Sequence, residues 1–307
     1  MRVLLCLAAT LLLLATGCSA DTTDAAGNAP SVSRTTPVPT LSPLPLPPEP
    51  PPSGRLLADM RQSSLDAAAG QSQVWVDNDT LEDLVPVRIT YTDPRLPEPV
   101  VATRMRGMPA QAERGFPLAL PAKPRCSVDA PAESGRVEVR TQDGATYRSR
   151  VTDETDVIGR YVAARCGELR LRRVVDLSWS PSVFDGEPAE GDAGELVLVL
   201  RPTGAPGRVE IRTVGGSHLL GSADGQPWSP GVVVRGTDAP SEVVLPLLPA
   251  RCDDHAFMEG GNAFAFRVGY AVDDPGGDTL EGSLLLRMDP EGAGNALRFA
   301  RASCGLE

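Results

Sequence analysis

Two histidines, His218 and His255, are the first places to look for acid–base or metal chemistry in this 307-residue chain. His255 closes the run Cys252-Asp253-Asp254-His255, and Glu259 follows four residues later. An imidazole and several carboxylates within eight residues could hold a divalent cation. The run carries Cys252, which an oxidising compartment would place in a disulfide, and it has no second cluster to complete a coordination shell. An exposed acidic loop is the preferred reading, and a metal-handling loop around His255 the alternative. His218 sits in Gly215-Gly216-Ser217-His218. A Ser next to a His in sequence is not a nucleophile–base pair, because the fold and not adjacency must bring the two together. No Gly-x-Ser-x-Gly elbow is present, so a surface turn is preferred.

Other chemically suggestive stretches also have simpler readings. Asp273-Asp274-Pro275-Gly276-Gly277-Asp278 lacks the twelve-residue spacing and closing Glu of a calcium loop, and reads as a hairpin turn. Met105 and Met108 could ligate copper(I), but no His stands near them and packing is preferred. The carboxylates are too scattered to name a glycosidase pair. No glycine-rich phosphate loop or nucleotide fingerprint occurs. Trp75 and Trp179 fall inside strand-like runs and read as core, whereas Trp228, in a Gly/Pro-rich loop, is the candidate for an exposed contact. No cofactor, resident metal or catalytic activity is expected.

The elements that would position such residues are almost all strands. Val74–Val76 leads into turn residues 77–79, and Val85, Val87, Ile89 and Tyr91 alternate with polar partners, the period of a half-buried strand. Residues 136–141 and 146–151 flank Asp143-Gly144, a hairpin signal read as a two-residue turn. Further strands are read over 196–200, 209–214, 232–234, 243–248, 263–272 and 280–288. Gly and Pro punctuate the junctions, and no long helical apolar stripe stands out after residue 70. The segment 55–70 is ambiguous: Leu57, Met60, Ser64 and Ala68 could share a helical face, or a first strand could begin there. Residues 169–179, free of Gly and Pro, read as a continuous strand joining two domains.

An internal repeat sets the domain count. Residues 116–126, from Phe116 through Leu-Pro-Ala to Arg125-Cys126, align with 243–252, which ends Leu-Pro-Ala-Arg251-Cys252. Each precedes a strand pair and a closing strand with a second cysteine, 162–166 and 299–304. Upstream, 74–76 matches 196–200 and 87–91 matches 209–213. Of six cysteines, Cys6 and Cys18 lie in the N-terminal segment, which reads as an export signal; the other four allow three pairings, and the repeat selects Cys126–Cys166 and Cys252–Cys304. The predicted architecture is all-β: two tandem β-sandwiches, immunoglobulin-like in class, over 55–172 and 173–307. True immunoglobulin landmarks are missing, since no Trp lies midway between paired cysteines.

The totals and the N-terminus address location. Lys and Arg number 29 against 40 Asp and Glu, for a net charge of -11. That balance argues against nucleic acid and anionic lipid heads as partners. Residues 1–17, with Arg2 and an apolar run from Val3 to Ala15, form a signal peptide too short to span a bilayer comfortably. Ala15-Thr16-Gly17-Cys18 resembles the lipobox of bacterial lipoproteins, with Ala15 where an aliphatic residue is usual. The resemblance implies a diacylglyceryl thioether on Cys18 and cleavage before it. Residues 18–54 read as a disordered tether, and the ten prolines of 30–54 favour extended polyproline II. Near-exclusive use of Arg over Lys, with abundant Ala, Gly and Pro, looks like a high-GC genome. Gln73-Val-Trp-Val-Asp-Asn78, the run 116–126, Ala250-Arg-Cys-Asp-Asp-His255 and the terminal Cys304 resemble uncharacterised actinobacterial lipoproteins. That resemblance implies an address and a build, and carries no activity or site residue with it. The expected protein is lipid-anchored at the cell membrane on its extracytoplasmic face. It is a non-catalytic binding or structural module for an envelope protein or glycan; solute or metal binding at the His255 loop is the alternative.

Overall fold

Alternation of apolar and polar side chains, the period of a pleated strand, builds both bodies of this protein. A computed structural model describes residues 51–258, 262–273 and 279–306. Residues 1–50, with the segments expected to be signal peptide and tether and with Cys18, lie outside the described residues, as do Glu259 and 274–278. The first body contains β1 (Arg55–Arg61), the short helix α1 (Ser64–Ala68), β2 (Gln71–Asp79), β3 (Pro86–Thr92), β4 (Val100–Val101), β5 (Glu113–Ala119), β6 (Arg136–Thr141) and β7 (Thr146–Arg150). One sheet runs β1-β2-β5 and the other β4-β3-β6-β7. Inward residues of both, among them Val74, Val76, Phe116, Ile89, Tyr91 and Val139, meet in one core.

Helix α2 (Val157–Val174) then leads into β8 (Val175–Trp179), β9 (Gly194–Pro202), β10 (Arg208–Gly215), β11 (Leu220–Gly221), β12 (Val232–Arg235), β13 (Ser241–Pro249), the one-turn helix α3 (Asp254–Met258), β14 (Ala265–Asp273), β15 (Thr279–Arg287) and α4 (Pro290–Ser303). The sheets are β11-β13-β9-β8 and β12-β10-β14-β15, facing each other over a second core that includes Leu198, Ile211, Leu245 and Phe266. The two bodies share a wiring diagram. Strands β8, β9 and β13 take the places of β1, β2 and β5, while β10, β14 and β15 take those of β3, β6 and β7. This is the two-sheet arrangement of immunoglobulin-like sandwiches, so the chain is all-β in architecture and built from two such sandwiches. Each has a helix after its last strand, and the cysteines pair as the repeat selects: Cys126–Cys166 and Cys252–Cys304.

Several local expectations are corrected. The closing segments 162–166 and 299–304 are helices, so each disulfide ties the loop after β5 or β13 to a helix. Residues 169–179 are not a continuous strand but the end of α2 followed by β8. Helix α2 starts on carboxylates. Asp153 accepts from the backbone N–H groups of Val157 and Ile158, and Asp156 from that of Gly159, satisfying the orphan donors of a first turn. It serves two cores with two faces. Ile158, Val162 and Cys166 enter the first, whereas Leu171 and Val174 enter the second. Moving from the 158-162-166 row to the 167-171-174 row turns the buried face by about 150° at 3.6 residues per turn. The segment 55–70 holds a strand and then a single capped helical turn, begun by the reciprocal Ser63–Asp66 hydrogen bonds. Ser53 and Gly54, read as tether, already donate to Asp79. Strand β2 runs through 77–79 rather than turning there, because the buried Asn78 donates to the backbone oxygens of Glu82, Met108 and Pro109. The β6–β7 connection is a three-residue loop: Thr141 N–H donates to Ala145 O, and Gly144 takes a φ of +88°.

Candidate functional site

The outward positions of the β4-β3-β6-β7 sheet alternate with its core residues. They carry Arg88 and Thr90 and Thr92 on β3, Arg136, Glu138 and Arg140 on β6, and Thr146, Arg148 and Arg150 on β7. All five arginines are exposed. The register sets Arg88 opposite Arg140, and Arg136 opposite Arg150. Like charges directly opposite each other on neighbouring strands are destabilising, by up to about 1 kcal/mol per pair. One carboxylate shares the face. Glu138 lies 2.9 Å from Arg140 Nε and 2.8 Å from Arg148 Nη2, and these hydrogen bonds hold its carboxyl below the usual range. Among the described residues, the guanidinium groups of Arg136 and Arg150 have no hydrogen-bond or ion-pair partner. A cavity of about 480 Å³ lies over this face, lined by Thr90, Thr92, Arg136, Glu138, Arg148 and Arg150 among others.

The same sheet of the second sandwich has a different character. Its outward positions include Glu210, Gly269, Ala271, Glu281 and Ser283. Five arginines stand there too, but two are neutralised, Arg208 by Asp273 at 2.9 Å and Arg212 by Glu210 and Glu281, while Arg267 donates to Ser283 and Arg287 to Asn262, so three carboxylates share this face against one on the first. Residues 55–172 hold 17 basic and 17 acidic side chains, against 10 and 20 in residues 173–307. The net charge therefore averages a strongly acidic second sandwich with a balanced first one, five of whose 17 basic groups share one sheet face with a single carboxylate. The inference from net charge against anionic partners does not apply to that face.

On the opposite sheet of the first sandwich, Asp59, Asp77 and Glu113 point outward around Arg61. Arg61 bonds Asp59 at 2.6 Å and lies 4.5 Å above the Trp75 ring. Trp75 is thus a partly exposed platform rather than core. Desolvation and the neighbouring carboxylates Asp79, Glu113 and Asp59 raise the Asp77 carboxyl above its usual range.

A buried polar cluster fixes the end of β3 to α2. The Arg95 guanidinium binds both oxygens of Asp93 at 2.9 Å and Asp156 at 3.0 Å, and the Tyr91 hydroxyl donates to Asp93 at 3.1 Å. Burial pushes the Asp93 carboxyl up, but the hydrogen bonds from Arg95 outweigh it and hold the group below its usual range. A fully hydrogen-bonded cluster of this kind sets the pose of the loop beside the arginine face.

The residues singled out from sequence are spread apart. Asp253 is engaged by Arg251 and by the Ala256 N–H, and His255 stands exposed on the one-turn helix α3. His218 is half-buried in the turn before β11. Among the described residues, no three His, Cys, Asp or Glu side chains gather in a metal-holding group. Met108 is in the first core and Met105 packs against it. Trp179 is core, with Nε1 donating to Leu286 O, and Trp228 is likewise buried, donating to Pro246 O. That overturns its reading as an exposed contact: the loop folds inward to pair Trp228 with Val214. Asp273 pairs with Arg208 and Thr279, and 274–278 lie outside the described residues. The arginines were the missed signal. The hairpin 136–150 was read for its core positions, while its other alternate positions spell Arg136, Arg140, Arg148 and Arg150.

No family of known proteins matches this sequence, and no curated protein does. Among solved structures, the chain shows slight likeness to red sea bream transglutaminase, at 10% identity and a TM-score of 0.23, covering 76% of this chain and 31% of that one. It also shows likeness to a Porphyromonas gingivalis W83 protein of unknown function, at 16% identity and 0.20, covering 76% and 97%. A third is CBD12 of CALX1.2, at 13% and 0.19, covering 73% and 83%. The chain spans under a third of the transglutaminase. Likenesses this slight carry nothing over to its function.

Proposed function

We propose that this protein is a lipid-anchored, extracytoplasmic binding module of the cell envelope, without catalytic activity, that holds an envelope component against the arginine face of its first sandwich. The observation that carries the reading is that face: five exposed arginines, two like-charge pairs in register, and two guanidinium groups with no partner among the described residues. The lipobox-like sequence before Cys18 supports the anchor, since two acyl chains at about 0.8 kcal/mol per buried methylene hold stably. Two disulfides suit an oxidising compartment. No helix among the described residues is long and apolar enough to cross a membrane.

The test separates anchor from face. Wild-type protein should incorporate labelled palmitate, and Cys18→Ser should not. The unlipidated Cys18→Ser protein should still sediment with washed envelopes, and Arg136→Glu with Arg150→Glu should cut the bound fraction about tenfold. Equal sedimentation of the charge-reversed form would remove the face from the account. Palmitate-free wild-type protein would remove the anchor.

A further inference from the structure

We infer that the arginine face takes a linear polyanion, a chain whose repeating units carry phosphate or carboxylate groups, laid along a trough. This rests on the reading of the face as the recognition surface and names what it recognises. The 480 Å³ cavity over β3, β6 and β7 does not end at the sheet. It shares Thr92 and Arg136 with a second cavity of about 330 Å³, walled by Pro94, Leu96, Pro97 and Pro99 and also by Arg125, the exposed Glu98 and Asp93, whose charge Arg95 offsets. The two adjoin at Thr92 and Arg136, the first lined by three arginines and the second by prolines with charges of both signs. The loop that walls the second part is held by the Arg95 cluster and by Arg125, whose Nη2 donates to Pro97 O at 2.9 Å.

The spacing suits a repeating oxyanion. Arg148 and Arg150 lie two residues apart on one strand, about 7 Å, and Arg150 faces Arg136 across about 5 Å. Guanidinium groups bind phosphate and carboxylate bidentately, so consecutive anionic groups at this interval can each meet one. Arg148 is aimed by Glu138, while Arg136 and Arg150 keep their donors open among the described residues. Thr90 and Thr146 stand beside the arginines and can donate to the same oxygens, while the Thr92 hydroxyl donates to the Arg136 backbone oxygen. An anionic membrane is the poorer fit. Interfacial docking uses aromatic and long aliphatic side chains among the bases, whereas threonines and the short Val87 and Val101 fill those places here, and a bilayer is a plane rather than a thread for a trough.

The test uses the unlipidated full-length Cys18→Ser protein without detergent, titrated with polyphosphate, polygalacturonate, neutral dextran and vesicles containing phosphatidylglycerol. At least one polyanion should bind and dextran should not. Neutralising three phosphates gives a slope of log affinity on log salt of about -2, hence a loss of roughly tenfold or more between 50 and 200 mM salt. Arg136→Gln/Arg148→Gln/Arg150→Gln should remove most of that slope and weaken binding at least tenfold, with Arg150→Gln alone giving a smaller loss in the same direction. Unchanged thermal midpoints of both variants confirm the fold. The inference falls if neither polyanion binds, if vesicles bind as tightly, or if the variants bind like wild type. It also falls if sedimentation velocity shows a self-associated protein that the arginine variants return to monomer, since the face would then be occupied by a second copy. Should envelopes still retain the Cys18→Ser protein through the face while both polyanions fail, the polymer is wrong and the binding-module reading stands.

Discussion

Removing the Arg95 guanidinium would strand the Asp93 carboxylate, whose side chain has no exposed surface, beside a buried tyrosine hydroxyl. Breaking one side of a buried pair costs about 3–5 kcal/mol, so Arg95→Met should lose that much stability to urea at pH 7. The pH dependence follows from Asp93. Its folded carboxyl titrates below its unfolded one, so its stabilising contribution is present above the unfolded range and disappears as pH falls through the folded one. Asp93→Asn should be less stable at neutral pH and lose part of the acid-side decline in unfolding free energy. An equally steep decline in that variant would move the acid sensitivity to other carboxylates. The arginines of the face behave differently. They are exposed, so Arg136→Gln should leave stability unchanged or raise it slightly, by relieving Arg150 across the strand pair.

Helix α2 is where the two sandwiches become one piece. Its Gly167 lets the Tyr270 ring of β14 lie against it: a Cβ added there would stand 2.9 Å from the tyrosine oxygen, and one added at Gly282 of β15 would stand 2.6 Å away. Overfilling a packed joint costs about 1–3 kcal/mol, and Gly167→Val should show it as a lowered midpoint in thermal unfolding. Two faces on one helix also explain its invisibility to a periodicity reading, because neither the 158-162-166 row nor the 167-171-174 row is long enough to dominate. Helix α4 was obscured by Gly292 and Gly294, although Asp289-Pro290 is an N-cap followed by proline at the first helical position. The strands were legible because their alternation is local, and β5 and β13 were recognisable as repeats by the Leu-Pro-Ala at each strand's end and the Arg-Cys that closes it, with Lys123-Pro124 added in the first. The arginine face needed the register. Only when Arg136 is known to face Arg150 do scattered bases become a surface.

At the scale of the molecule, two disulfides and an uneven charge distribution matter most. Cys126–Cys166 closes a separation of 40 residues, about 4 kcal/mol in the chain-entropy account. Cys126→Ala with Cys166→Ala should therefore destabilise the first sandwich by roughly that amount, measured by denaturant unfolding under oxidising conditions. The acidic second sandwich faces repulsion from any polyanion that the first attracts, which orients the body with its arginine sheet toward the partner. That orientation is the centre of the account, and in-cell photo-crosslinking reads it most directly. A photoreactive residue at Thr92, beside Arg136, is compared with one at Thr213 on β10 of the second sandwich. The account expects an adduct with an envelope component from Thr92, lost when Arg136, Arg148 and Arg150 become Gln, and none from Thr213. Equal adducts from both positions, or a Thr92 adduct indifferent to the arginines, would contradict it.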